Sequence, residues 1–403
     1  MVHKNITIYD IQKVVLITFL SICIILPTGS VFDINVKFIF LFLLVILSFF
    51  VDNGSGVIRC IKGMLIPVLF LVLFLLISEI SSTKNNEALL QTKDILTFFF
   101  MTTIAYSFIR KNDNSEEFIS KVIINNLVFL SALKILIFMY AQVTGISVTQ
   151  IMSIISDIFN TKLMTLDSDD IAISRISFMS DYVLPIAIYI LTKEIVNSRI
   201  TLFKTITLIL LVLSIILSLS RFLWVIGATS IALALMHEIK KSKSIFIVAI
   251  AVMLMLYALT LPSVQEAINF RFNSNDSDLS DLARQLQYNA IIDSIGKYPL
   301  LGQGLGYYLP TLIRSSAAKY SYELQIPALA MQVGLIGTLL FFSIIFSKLY
   351  KSALNLNLYD KCIYLILIIL WLIGGFFNPV IISSSGGIAF LLLYVLPKRI
   401  NNN

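Results

Sequence analysis

The chain of 403 residues is 58% hydrophobic and only 13% charged, with a formal net charge of +7. Soluble domains carry about half apolar and about a quarter charged residues, so a soluble enzyme, a secreted disulfide scaffold and a disordered chain are all excluded. The apolar blocks approach the roughly 20 residues of a membrane helix and lack the alternation of a barrel strand, so an all-α polytopic protein with about twelve spans is expected.

In chain order, apolar runs between polar breaks predict spans at 14–27, 36–51, 64–80, 95–109, 122–143 and 178–195. They continue at 203–219, 222–238, 244–262, 323–347, 362–378 and 380–397. Lys4 and Lys13 precede the first run, but Pro27, Thr28 and Gly29 make a poor cleavage site, so it is read as a retained span. With the N-terminus in the cytoplasm, eighteen lysines and arginines fall in inner segments and six in short outer ones. This asymmetry places both termini inside, and it accounts for the basic balance without a nucleic-acid partner.

Polar residues within the spans are few. Lys134, near the middle of the fifth, is a costly charge; its counter-ion is either a carboxylate across the bundle or an anionic lipid head. Asp181 and Asn378 are read as packing or interface groups. Cys23, Cys60 and Cys362 have no metal or redox spacing and are read as packing residues.

Two outer segments exceed ordinary connectors: about 145–177, and the sixty residues 263–322. The chain therefore divides into helices 1–9 (1–262), a large loop (263–322) and helices 10–12 (323–403), with the working surface expected outside. Within the loop, Asp278 or Ser280 can cap a helix. Leu282, Leu286, Ala290 (or Asn289), Ile292 and Ile295 recur near the helical period, and Gly296 and Pro299 stop it. This amphipathic helix is expected to lie on the membrane or cap the bundle. On its other face Arg284 and Tyr288 stand one turn apart. Gly302, Gly304 and Gly306 follow a helix instead of a strand, so they read as a tight re-entry turn and not as a nucleotide loop.

Arg175 before the sixth span and Arg221 between the seventh and eighth lie at short outer positions, where the positive-inside rule disfavours arginine, and Arg284 lies in the large loop. Planar guanidinium groups grip phosphate bidentately, so together they suggest an anion site. The two histidines, His3 and His237, fall on the inner side. Acid–base chemistry outside must then use a carboxylate or no side chain, and an imidazole-bound metal is disfavoured there. Glu323, at the mouth of the tenth span, is the candidate, because desolvation makes a carboxylate a better proton acceptor. Asp276, Asp278, Asp281 and Asp293 read as caps and solvated loop charge.

These features resemble the O-antigen polymerase and O-antigen ligase superfamily of bacterial membrane glycosyltransferases. The resemblance rests on "SLSRFLW" opening the eighth span and on Arg284 preceding "YPLLGQGLG". It also rests on "YELQIPALAMQVGLIG" opening the tenth span and on Arg175 in "SRISFMSDYVLP". It covers mainly residues 170–340; the first five spans match only in hydropathy. It implies a GT-C-like fold in the inner membrane and metal-independent transfer at the periplasmic face, from a glycan on undecaprenyl diphosphate to a second lipid-linked acceptor. No cofactor is implied, and a chain-length regulator is a further partner. Arg175, Arg221, Arg284 and Tyr288 would bind substrate, and the residue heading the tenth span would activate the acceptor hydroxyl. Ligases and many polymerases carry histidine there, and Glu323 in its place favours a polymerase. The alternatives are a ligase and a twelve-span lipid-oligosaccharide flippase. Transporters usually show internal repeats and midplane polar sites, whereas here the polar residues gather at one face.

Overall fold

The computed structural model describes residues 7–26, 30–31, 34–81, 85–109, 115–159, 176–198, 201–238, 241–242, 265, 275–316 and 318–401. The helices are α1 (Ile8–Ile25), α2 (Val36–Asp52), α3 (Ser55–Ile80), α4 (Asn85–Ser107), α5 (Ser115–Thr144) and α6 (Val148–Phe159). A 3-10 turn (Met179–Val183) leads into α7 (Leu184–Asn197), followed by α8 (Leu202–Leu217), α9 (Arg221–His237) and α10 (Asn275–Lys297). The last are α11 (Gln325–Ser352), α12 (Leu358–Ile373) and α13 (Ser384–Asn401). Between α1 and α2 a two-residue antiparallel ladder pairs Ser30 with Asn35 and Val31 with Ile34. Apart from it, the described regular structure is helical.

Among the described residues, five helices are long and apolar enough to cross a membrane: Ile8–Ile25, Ser55–Ile80, Ser115–Thr144, Gln325–Ser352 and Leu358–Phe376, the last including a 3-10 turn. α8 and α9 are shorter apolar helices. This is a helical membrane protein. The expected span at 244–262 lies outside the described residues. α4 begins ten residues before its apolar run because its first turns carry Glu87, Gln91 and Asp94 towards the 298–324 segment.

The core centres on α13. Ile388, Ala389, Phe390, Leu391, Leu392, Leu393 and Val395 have no exposed surface; a helix apolar all round must be enclosed all round. α13 packs against α4, α5, α7 and α11. Its Phe390 stacks on Phe98 of α4 with centroids 5.3 Å apart, and Phe99 meets Phe341 of α11 edge-on at 5.4 Å. Cys23 and Cys60 are buried as expected, whereas Cys362 is exposed on α12.

α11 is broken at Gly334, where φ is 69° and ψ 178°. The segment after α10 repairs the break: Gln303 N donates to Met331 O at 3.1 Å and Gly304 N to Gln332 O at 2.8 Å. In return Leu335 N donates to Pro299 O and Ile336 N to Leu300 O. Broken helices are tolerated in apolar surroundings when the freed backbone groups find such partners. The glycine run is thus the re-entry turn expected from its spacing. A Cβ on Gly334 would lie 2.2 Å from Leu300 O, and one on Gly145, also at positive φ, would meet nothing within 4 Å. Gly334→Ala should therefore cost about 2–3 kcal/mol and Gly145→Ala nearer 1, measured as thermal midpoints of the detergent-purified protein.

Candidate functional site: an arginine–carboxylate chain

The re-entry segment fixes the residues leading to Glu323. Gly306 N donates to Gln91 Oε1 at 2.6 Å, Gln91 Nε2 donates to Gln332 Oε1, and Gln332 Nε2 donates to Tyr307 O and Tyr320 O. Both glutamines are buried, and these bonds tie α4, the loop and α11 together. Tyr320 donates its hydroxyl to Asp94 Oδ2 at 2.6 Å. Buried Tyr322 accepts from Leu309 N at 2.7 Å. On the other side Gln325 Oε1 accepts from Ile381 N and Ile382 N. Glu323 therefore projects from a backbone anchored on both flanks.

Arg221 is held equally firmly. It is the first residue of α9, with Ser220 as N-cap, and a helix N-terminus favours anions over cations. An arginine there suits a shared anion better than it suits the helix alone. The corner before it turns through Leu219 at φ 45°, and Trp224 Nε1 donates to Ile215 O and Ile216 O. Ile176 N donates to Leu217 O at 3.2 Å, which ties the residue after Arg175 to the same corner. Arg175 itself lies outside the described residues.

Lys134 anchors the preceding helix. Its Nζ donates to Ser214 O at 2.7 Å and to Asp181 Oδ2 at 2.9 Å, with side chains 0% and 4% exposed. Asp181 Oδ2 also accepts from Phe178 N. The carboxylate across the bundle is thus the counter-ion of Lys134. Asp181, expected to be a packing group, is the partner of a buried charge.

Three arginines and two carboxylates form one chain. Arg221 Nη2 lies 3.2 Å from Asp281 Oδ1, and Arg284 Nη1 donates to the same oxygen at 2.7 Å. Arg284 Nε donates to Glu323 Oε2 at 2.9 Å, and Arg314 Nη2 pairs with Glu323 Oε1. Of the residues expected at the site, Arg221, Arg284 and Glu323 come together, while Tyr288 is exposed one turn further along α10. Glu323 is not a lone carboxylate facing hydrocarbon; both of its oxygens meet guanidinium groups. His237 ends the helix that Arg221 begins, about 24 Å away at 1.5 Å per residue, where it pairs with Asp360. Among the described residues no three of His, Cys, Asp and Glu form a metal-ligating cluster.

Two members were not anticipated. Asp281 was expected to be solvated loop charge, and it bridges two arginines. Arg314 escaped notice because charge in long loops carries no topological signal; its only sequence mark is its position nine residues before Glu323. α10 docks on the bundle through a stripe other than its leucines. It begins at Asn275, ahead of the expected caps Asp278 and Ser280, and Leu282, Leu286 and Ile292 are exposed. The buried stripe is Gln287, Ile291 and Ser294, with Ile291 packed among Tyr322, Leu324, Ala328 and Met331. α10 thus caps α11 with a mixed face that keeps Arg284 over Glu323.

No curated protein matches the chain significantly. Residues 206–342, which contain Arg221, Asp281, Arg284, Arg314 and Glu323, match the family model described as O-antigen ligase, consistent with the O-antigen ligase/polymerase superfamily.

Proposed function

We propose that this protein is a surface-polysaccharide polymerase of the bacterial inner membrane, transferring glycan from a lipid diphosphate onto a second lipid-linked repeat unit at the periplasmic face. The observation that carries this reading is the convergence of Arg221, Arg284 and Arg314 with Glu323 at one end of the bundle. The acceptor hydroxyl oxygen attacks the anomeric carbon, the bond from that carbon to the phosphate oxygen breaks, and the diphosphate leaves with the electron pair. Arg221, Arg284 and the N-terminus of α9 stabilise that charge in place of a divalent ion. Glu323 orients the acceptor hydroxyl and takes its proton. A carboxylate has about four lone-pair sites, so the two guanidinium contacts leave room for this hydroxyl. Arg175 and Tyr288 extend the substrate-binding surface. Confining both lipid-linked substrates to one bilayer face lowers the entropic cost of their meeting.

The reading carries with it twelve GT-C-like spans, both termini in the cytoplasm, the 263–322 loop in the periplasm and a chain-length regulator as an added partner. A ligase is the second reading, supported by the description of the matching family. A null strain separates them: loss of a polymerase leaves single repeat units attached to the lipid acceptor, and loss of a ligase leaves none. Purified protein supplied with a synthetic lipid-diphosphate repeat unit should extend it equally with and without chelator. Chelator-sensitive turnover would sink the metal-free mechanism.

A further inference from the structure

Asp281 Oδ1 lies 3.2 Å from Arg221 Nη2 and 2.7 Å from Arg284 Nη1, so one carboxylate oxygen bridges guanidinium groups from α9 and α10. A phosphoryl oxygen makes the same contact with paired arginines. Asp281 is also the most exposed of the five charged groups, at 53% against 31% for Arg221 and 27% for Arg284. It lies in the first two turns of α10. Its side chain can rotate away without moving a packed neighbour. Glu323 is different: it is 20% exposed and held between two arginines.

We infer that Asp281 is an internal stand-in for the substrate's diphosphate. It aims Arg221 and Arg284 at one point when the site is empty, and it yields that point when the diphosphate arrives. The inference rests on reading these two arginines as the diphosphate-holding groups. Asp281 then sets the affinity of the site: each bound diphosphate must displace a carboxylate, and each leaving diphosphate is replaced by one. Removing its charge should tighten diphosphate binding and slow release of the product.

The test is calorimetric titration of the full-length protein in detergent with inorganic pyrophosphate and, separately, with farnesyl diphosphate. It compares wild type, Asp281→Asn, Arg221→Ala and Arg284→Ala. Two exposed ion pairs of ordinary strength correspond to about fivefold in affinity. Asp281→Asn should therefore bind about fivefold tighter while both arginine variants bind more weakly. Tightening for farnesyl diphosphate alone assigns the site to a lipid headgroup, and tightening for both probes assigns it to the diphosphate group itself; either supports the exchange. Unchanged or weaker binding by Asp281→Asn, with both arginine variants weakened, overturns the stand-in role and leaves the arginine site intact. Wild-type affinity in both arginine variants overturns the site reading, and this inference with it.

Discussion

Arg284→Ala is expected to lower the rate of glycan extension by about 10²–10³, the usual loss when one preorganised donor to a developing oxyanion is removed. Arg284 is the most consequential of the three arginines because it alone contacts both carboxylates, Asp281 through Nη1 and Glu323 through Nε. Its removal takes one charge from the leaving group and frees one oxygen of Glu323. Arg284→Lys should recover only part of the rate, since an ammonium cannot reproduce the two-sided fork. The measurement is extension of a lipid-diphosphate repeat unit by each purified variant, alongside its thermal midpoint. A folded Arg284→Ala protein that extends at the wild-type rate would remove the arginine chain as the reaction site. In cells the same variant should shorten the polysaccharide ladder of a complemented null strain, and Arg221→Ala should do likewise.

The second large effect concerns stability. Lys134→Met leaves the Asp181 carboxylate, 4% exposed, without its ammonium partner, and breaking a buried pair from one side typically costs about 3–5 kcal/mol. Asp181→Asn should cost a similar amount. The double variant Lys134→Met/Asp181→Leu should recover most of the loss, because an apolar pair of similar volume carries no desolvation penalty. Thermal midpoints of the four proteins decide the matter: a double variant no better than the singles would show that packing, and not charge, is at stake. The double variant still lacks the hydrogen bond from Lys134 to Ser214 O. Because that bond holds the end of α8 ahead of Arg221, its glycan extension should stay below wild type after its stability returns.

Much of the helical layout is legible along the chain, since burial in lipid demands long apolar runs and the polar breaks stand out against them. α2, α8 and α9 lie close to the runs that predict them. What the runs cannot convey is which polar residues meet. Lys134 and Asp181 are 47 residues apart, and Gln91 and Gln332 are 241 apart; their pairing exists only once α4, α5 and α11 are packed. The site shows the same division. Arg221 and Glu323 are conspicuous because charge beside hydrocarbon is costly, and Arg284 because it precedes "YPLLGQGLG", whereas Arg314 and Asp281 sit among other loop charges that cost nothing in water. The docking of α10 shows a related division. Leucine periodicity marks what a helix can bury, but this helix is docked by Ile291 and by the polar pair Gln287 and Ser294.

The placement of α13 has a consequence for biogenesis. It follows in sequence every helix that surrounds it, and its tail is fastened by Lys398 to Glu116 of α5 and by Arg399 to Glu194 of α7. The faces of α4, α5, α7 and α11 that pack on α13 therefore have no native partner until this segment is synthesised. Closure of the bundle is thus a late event, and nascent chains stalled before Ser384 should be substrates for membrane quality-control proteases.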